Sequence, residues 1–295
     1  MDFPAENGYN TFMAKKKSVA PLRLLPLKSD FVFKLVFGDK RRVELLTAFL
    51  QAVLELPVEE YEKVTIVDPN VKKEYSKDKA GILDVKIHTV SGTVIDVEIQ
   101  VEPDARIQFY QAKMLTEQIG EGNDYDVIKP VISIIITDFN FIDGSKAYHH
   151  RFRFYDAKHK VEFSDVQEIN TLELTKLPKT SDETDLFDWM MLIRAKSEED
   201  YTMLAEKKPI FKKVVAVVKK LSVDEEARME YDKHEMWRMD YAATMRNAAR
   251  KGRAEGKMEG KMETAQRMKS KGFSLADIAD ITGLTEEEIE KSPFS

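Results

Sequence analysis

The first residues in this chain that could do chemistry lie in GTVIDVEIQV (92–101), where apolar and polar side chains alternate. A period of two is typical of a β-strand with one face on the core and the other accessible. Here the second face carries Asp96, Glu98 and Gln100. A strand does not need acids on that face to fold, because threonine or lysine would serve. The pattern therefore suggests a chemical role for the acids.

An upstream strand is predicted to bring a further acid to the same face. Residues 81–101 contain two alternating segments around the turn signal VSG, which is typical of a hairpin. A three-residue loop pairs Thr89 with Thr93, and the same register sets Asp84 opposite Glu98, with Cβ atoms about 4.5–5.5 Å apart. Like charges at that distance destabilise a sheet, and a hard divalent cation removes the repulsion. The pair therefore predicts a metal site, with a solvated charged hairpin as the alternative.

Asp96 shares the face of Glu98, either as an additional metal ligand or as a peripheral acid. The five histidines of the chain include one adjacent pair, His149 and His150, whose side chains point to opposite faces of a strand. Their spacing does not suggest metal ligation, and we assign them no role.

Composition narrows the class of protein. The 295 residues suffice for one large domain or two small ones. There is no cysteine, which excludes disulfides, thiolate nucleophiles and cysteine-bound metal. The longest apolar run, VISIII (131–136), is far too short to span a bilayer, and the first residues lack the apolar core of a secretory signal. The sequence therefore predicts no membrane partner and a cytoplasmic location.

Hydrophobic periodicity predicts an α/β domain followed by a helical extension. Gly38 punctuates a helical pattern over 27–54, and the run VISIIIT (131–137) is typical of a strand buried on both faces. From about residue 183 onward the pattern is helical. The other predicted elements are a strand at 64–67, a helix at 104–120 and two more exposed strands at 147–155 and 160–169.

The late part of the chain carries concentrated basic charge, although the net charge of the whole chain is −6. Six lysines in 207–220 form either a phosphate track or a solvated helix face. Glycines recur every four residues at 252, 256 and 260, which permits close helix approach in a homodimer and also suits a solvated linker helix. The segment 272–292 resembles a helix-turn-helix, but acids on its second helix oppose phosphate, so we favour a packing or partner-binding module.

The residues around the acids resemble a known family. Asp84, thirteen residues, then Glu98-Ile99-Gln100 resembles the core motif of the PD-(D/E)XK nuclease superfamily, with glutamine at the lysine position. The neighbouring stretches, in order and spacing over about 25–200, resemble the PD-(D/E)XK family transposases, close to the Rpn-type recombination-promoting nucleases. These stretches are SDFVFKLVFGD (29–39), GILDVKI (81–87), DVEIQV (96–101) and FYQAKMLTEQIGEGNDYDVIKPVISIIITDFNF (109–141).

The resemblance implies a restriction-endonuclease-like mixed sheet flanked by helices. It also implies that Asp84, Glu98 and the carbonyl of Ile99 bind Mg²⁺ or Mn²⁺ for attack of water on a phosphodiester. Gln100, at the lysine position, cannot act as a cation or a base, but its amide can hydrogen-bond water or phosphate. Asp30 matches an acid that some members use as an additional ligand, and a helix N-cap is the alternative.

Three residues are predicted, more weakly, to contact the DNA backbone. Gln111 and Lys113 lie on the helix after the motif strand, where members of the superfamily place such groups. Arg106 lies one turn before Tyr110, and the two could face the cleft. A solvated Lys113 and a Tyr110 packed on the sheet are the alternatives.

Two functions follow. The first is a Mg²⁺-dependent DNA endonuclease acting in recombination, mobile-element movement or defence. The second is a weak or inactive nuclease fold that serves as a DNA- or protein-binding scaffold. The predicted organisation is a mobile leader (1–20), a nuclease-like domain (21–200), a helical extension with a long charged helix (201–271) and a helix-turn-helix-like tail (272–295).

Overall fold

The structure is a computed structural model that describes residues 23–67, 85–100, 106–122 and 124–290, without the side chains of Gln100 and Arg106. The predicted leader and Asp84 lie outside the described residues. Contacts divide the chain into two units, one ending at Arg228 and one beginning at Met229. Across the described ranges, no helix combines the length and apolar character needed to cross a bilayer.

A mixed six-stranded sheet forms the centre of the first unit, in the order β1-β2-β3-β4-β6-β5. Strands β3, β4 and β6 run parallel, and the remaining neighbours are antiparallel. This sheet and the helices on it confirm the predicted α/β class. The strands are β1 (Thr65–Val67), β2 (Val85–His88), β3 (Val94–Gln100), β4 (Val131–Thr137), β5 (His149–Tyr155) and β6 (Glu162–Glu173).

The β2–β3 hairpin has the predicted register. Lys86 pairs with Asp96, as the Thr89–Thr93 closure requires, and Thr89 N donates to the carbonyl of Thr93 at 3.1 Å. Gly92 adopts φ +92°, a conformation that glycine reaches without a Cβ clash. The short turn therefore sets which residues of β3 share a face with β2.

The central strand β4 is buried at every position, as predicted for a β-branched run covered on both faces. The prediction for β6 was wrong in its extent. The strand continues to Glu173 rather than ending at 169, and residues 170–173 are fully buried, whereas 162–169 are mostly exposed or half-buried, as predicted. The reason is its position between β4 and β5, since a strand with neighbours on both sides is shielded along both edges.

Helices cover the sheet. The interruption predicted at Gly38 is confirmed, because the first helix ends at Phe37 and Gly38 is its C-cap residue. A Cβ at Gly38 would lie 2.7 Å from the carbonyl oxygen of Lys34. The predicted 104–120 helix is shorter, and its Tyr110 and Met114 pack on Val94 and Val131. The helices of the first unit are α1 (Asp30–Phe37), α2 (Val43–Val53), α3 (Arg106–Thr116), α4 (Asp185–Arg194), α5 (Glu198–Lys207) and α6 (Pro209–Val223).

The second unit consists of helices, as the pattern after residue 183 predicts. The long helix α7 (Glu225–Ser270) begins just before this unit, and α8 (Leu275–Thr282) and α9 (Glu286–Glu290) follow it. Ile278 and Ile289 from the short helices pack with Ala265 of α7. The apolar residues of this tail therefore build a small core of their own, which agrees with the packing-module interpretation.

Candidate active site

The predicted site lies near the carboxyl end of β3, the first of three adjacent parallel strands. Glu98 pairs with Ile135 of β4, which pairs with Thr171 of β6, and Thr171 pairs with His150 of β5. Residues paired in this way share one face of the sheet. Ligands of open α/β sheets bind outside the carboxyl ends of the strands, and this row lies two residues before the ends of β3, β4 and β6.

Asp96 and Glu98 are both buried, with 2% and 7% of their surface exposed. The hydroxyl of Ser133, on the neighbouring strand, donates a hydrogen bond of 2.7 Å to Asp96 Oδ1. Burial of a carboxylate is costly without polar partners, so Ser133 stabilises Asp96 in this position. The interior-facing acids confirm that the second face of β3 is not a solvated surface.

Lys86 stands opposite Asp96 on the same face of the hairpin. Its ammonium lies 3.0 Å from Glu117 Oε2, just beyond the end of α3. The pKa of His88, next along this face, is lowered by burial and by the charge of Lys86. Lys86 had no predicted role, although its position in DVKI on the acid-bearing face was a usable signal.

A further buried carboxylate, Glu173, supports the carboxyl end of the parallel strands. Glu173, at the end of β6, shares the face of Glu98 and is completely buried. Its Oε2 lies 2.8 Å from Lys176 Nζ and accepts a 2.7 Å hydrogen bond from Phe141 N. Its Oε1 lies 3.7 Å from His150 Nδ1. Glu173 thereby anchors the segment after β4 through Phe141, and no sequence motif predicts this contact.

The residues predicted to bind metal are only partly described. Glu98 and Ile99 are on β3, whereas Asp84 lies outside the described residues. Asp30 is the first residue of α1, after Ser29 at the N-cap position, and its carboxylate accepts a 2.8 Å hydrogen bond from Phe31 N at the start of the helix. In the described part of the chain, no group of three or more histidine, aspartate or glutamate side chains could hold a metal ion. The predicted ligand set stays a prediction, because it includes Asp84, which lies outside the described residues.

The residues predicted to contact DNA differ in their surroundings. Gln111 is buried, its Nε2 donates to the Glu168 carbonyl at 2.8 Å, and its Oε1 accepts from Gln167 at 3.4 Å. This placement opposes a backbone contact by Gln111, because its amide holds α3 to β6. Lys113 is half-buried on the same helix. The side chain of Arg106 is not described.

Comparison with known proteins supplies the family. Residues 27–248 match the model of the PD-(D/E)XK nuclease family transposases. The chain belongs to this family. No curated protein and no solved structure matches it.

Membership in the PD-(D/E)XK nuclease family transposases agrees with the mixed sheet and its flanking helices. A nuclease family suggests hydrolase activity on DNA, and PD-(D/E)XK nucleases generally use divalent metal ions. The match covers the stretches on which the resemblance was based and continues into α7.

Proposed function

We propose that this protein is a metal-dependent DNA endonuclease that hydrolyses phosphodiester bonds. The observation that carries the proposal is Glu98. It is a buried carboxylate near the carboxyl end of β3, in the predicted hairpin register and in a chain of a nuclease family. A buried acid on this edge of the sheet suits a site that must collect charge for chemistry.

The proposed metal ligands are Asp84, Glu98 and the carbonyl of Ile99, with Asp30 as an additional candidate. All are oxygen donors, which are the ligands that Mg²⁺ and Mn²⁺ prefer. Thr171 Oγ1, in the row of Glu98, is buried and has no hydrogen-bond partner among the described residues, so the row has capacity for a further polar group. A divalent ion held by the proposed ligands would lower the pKa of a bound water molecule and shield the negative charge of the phosphate.

The protein's own side chains supply orientation. The amide of Gln100 is proposed to hydrogen-bond the attacking water or the phosphate, without the charge of the usual lysine. Asp96, held by Ser133, is proposed to act as a peripheral acid that adds negative charge beside Glu98. Lys113 and Arg106 are proposed to contact the phosphate backbone. Gln111 was predicted to do the same, but its burial opposes that role.

The test is cleavage of supercoiled plasmid by the full chain with Mg²⁺ or Mn²⁺, and with EDTA as the metal-free control. We expect Glu98→Gln to reduce the cleavage rate roughly a hundredfold or more, since a metal site contributes several kcal/mol to the transition state. Glu98→Gln preserves the shape of the side chain. Glu230→Gln, on an exposed part of α7, is the matched control and should cut like the wild type.

Thermal unfolding with and without the ion provides a second measurement. A metal that binds only the folded state raises stability, and Glu98→Gln should lose that increment. Full cleavage by Glu98→Gln would contradict the proposed site. No cleavage by the wild type with any metal would favour the scaffold function instead. A cytoplasmic location, a homodimer and roles in recombination, mobile-element movement or defence stay predictions.

A further inference from the structure

The end of the sheet away from β1 exposes an unusual set of apolar side chains. The hairpin formed by β5 and the first part of β6 shows five large residues that are 42–87% exposed. We name residues 152–163 the aromatic ribbon. Exposed apolar clusters of this kind mark interaction surfaces, whereas single exposed residues do not. The five are Phe152, Phe154, Tyr155, Val161 and Phe163.

The turn of the aromatic ribbon has a defined structure. Asp156 Oδ1 accepts backbone hydrogen bonds from Lys158 at 2.8 Å and His159 at 2.6 Å. Asp156 N donates to the Val161 carbonyl at 2.8 Å, and Lys160 adopts φ +58°. A turn closed in this way presents its side chains with little conformational entropy left to lose on binding.

The ribbon extends beyond the strand next to it. β4 begins to pair with β6 at Gln167, whereas β5 pairs with β6 back to Glu162. The register between β5 and β6 shifts after Arg153, which bends the ribbon relative to the sheet. Among the described strands, the residues between Glu162 and Gln167 therefore have β5 as their sheet neighbour and are open on the other side.

The charges of the ribbon favour an anionic partner. Lys158, His159 and Lys160 occupy the turn and Arg153 lies on β5, whereas Asp156 and Glu162 are the acids, so the ribbon carries a net charge of +1 with histidine neutral. Aromatic side chains with cations beside them suit nucleic acid, because bases stack on the rings while the cations meet phosphates.

A second copy of the chain is a poorer occupant of this surface. β5 is an edge strand, and two copies could pair through it in antiparallel fashion. Pairing centred on Phe152 would set Arg151 of one copy opposite Arg153 of the other, and like charges opposite one another destabilise a sheet. Arginines on an edge strand are a known guard against such pairing.

Phe152, at the start of the ribbon, lies on the same face of the sheet as Asp96. Phe152 pairs with Ile169, which pairs with Ser133, which pairs with Asp96. Three strand spacings place Phe152 roughly 14 Å from Asp96 across the sheet. A DNA strand cut at Glu98 would have to span about this distance to reach Phe152.

We infer that the aromatic ribbon binds unpaired bases of the DNA substrate by stacking on Phe154, Phe163 and their neighbours. The inference rests on the proposed function, since it assigns a second binding surface to the same substrate. It predicts a preference for single-stranded DNA, or for duplexes with unpaired bases, over intact duplex. Stacking on a ring is tolerant of sequence, so the preference should be structural rather than sequence-specific.

The test is fluorescence anisotropy of labelled single-stranded and duplex DNA with the full chain in EDTA. We expect Phe154→Ala and Phe163→Ala each to weaken single-strand binding roughly 5- to 100-fold, and Phe163→Trp to retain binding. Met203→Ala, which removes an exposed apolar side chain from α5, is the matched control and should bind like the wild type.

A charge variant tests the cations of the turn in the same assay. Asparagine tolerates the left-handed conformation of residue 160, so Lys160→Asn should keep the turn intact. Its plot of log affinity against log salt concentration should be shallower than that of the wild type by about 0.7, because one phosphate fewer is neutralised on the single strand. An unchanged slope would show that Lys160 does not meet a phosphate.

The results separate the ribbon from the active site. Wild-type single-strand affinity in both alanine variants would overturn the inference, and a shift from dimer to monomer in those variants would assign the surface to a second copy. If Glu98→Gln loses plasmid cleavage and the alanine variants bind like the wild type, the proposed function is supported and the ribbon inference is overturned. If the wild type cuts no DNA but binds single strands through the ribbon, the ribbon inference is supported and the proposed function is overturned.

Discussion

The interior of the sheet and the aromatic ribbon use similar residues in opposite ways. β4 consists largely of isoleucine and valine, and every position is buried. The ribbon holds phenylalanine, tyrosine and valine, and Phe163 is 87% exposed. Both regions are β-structure in the same unit. The difference is that β4 has a strand on each side, whereas the ribbon has extended past its neighbours.

This comparison shows which apolar residues the fold needs. Burying a side chain such as Ile134 stabilises the folded state through the apolar area removed from water. Phe163 contributes little of that kind, because most of its surface stays in water. Side chains that are costly to expose and do not stabilise the fold suggest a second role, and binding is the one that the ribbon's charges support.

The largest expected effect lies in the central strand. Ile134→Ala should destabilise the protein by about 2–5 kcal/mol, because it leaves a cavity where no neighbour can collapse fully. Phe163→Ala should change stability by less than about 0.5 kcal/mol, as exposed substitutions do. Urea unfolding followed by circular dichroism measures both. Equal losses of stability in the two variants would remove the distinction between the regions.

A smaller effect is expected where the ribbon joins the sheet. Glu168 is buried, and its Oε2 lies 2.8 Å from Arg151 Nε and 3.3 Å from Arg153 Nε. Glu168→Gln should destabilise the protein by about 1–3 kcal/mol, because Arg151 loses a charged hydrogen-bond partner and Arg153 loses an ion-pair partner. Glu162→Gln is the matched control, since the ion pair of Glu162 with Arg153 is solvent-exposed and should contribute about 0–1 kcal/mol. A neutral result for Glu168→Gln would show that the two cations are solvated without it.

A local effect is expected in the turn of the ribbon. Hydrogen bonds from the backbone of His159 and Lys158 lower the pKa of Asp156. A carboxyl group whose pKa is lower in the folded state stabilises the fold at pH values above its unfolded pKa. That stabilisation is lost as the pH falls through the folded-state pKa. Asp156→Ala should therefore speed amide hydrogen exchange at 158 and 159 while exchange in β4 is unchanged. Faster exchange throughout the sheet would show that the ribbon is not an independent unit.

The smallest effect concerns the pH dependence of the sheet. Burial and Lys86 lower the pKa of His88 below its ordinary value of about 6.5. The unfolded chain then binds a proton more readily than the folded chain, so stability should fall as the pH drops below about 6.5. In His88→Gln, the thermal unfolding midpoint should vary less between pH 7.5 and pH 5.5. A wild-type slope in this variant would assign the pH dependence to other groups.

Local pattern was enough to predict the sheet hairpin, the buried strand β4 and the break at Gly38. Each depends on side chains within a few residues, through alternation, β-branching or a turn residue. The extent of β6 was not predicted, because its burial depends on strands from other parts of the chain. Gln111 is predicted to contact DNA, and no sequence pattern indicated its hydrogen bond to the carbonyl of Glu168, because only the fold brings the two residues together.

The sequence by itself determined the α/β class, the hairpin register and the face that carries Asp96 and Glu98. These follow from a period of two and a short turn, which act over short distances along the chain. The tertiary structure alone decided that Ser133 supports Asp96, that Glu173 anchors the chain leaving β4 and that the aromatics of the ribbon stay exposed. Such contacts join residues about 30 to 40 positions apart, or depend on which strands are neighbours, and both are products of packing rather than of local pattern.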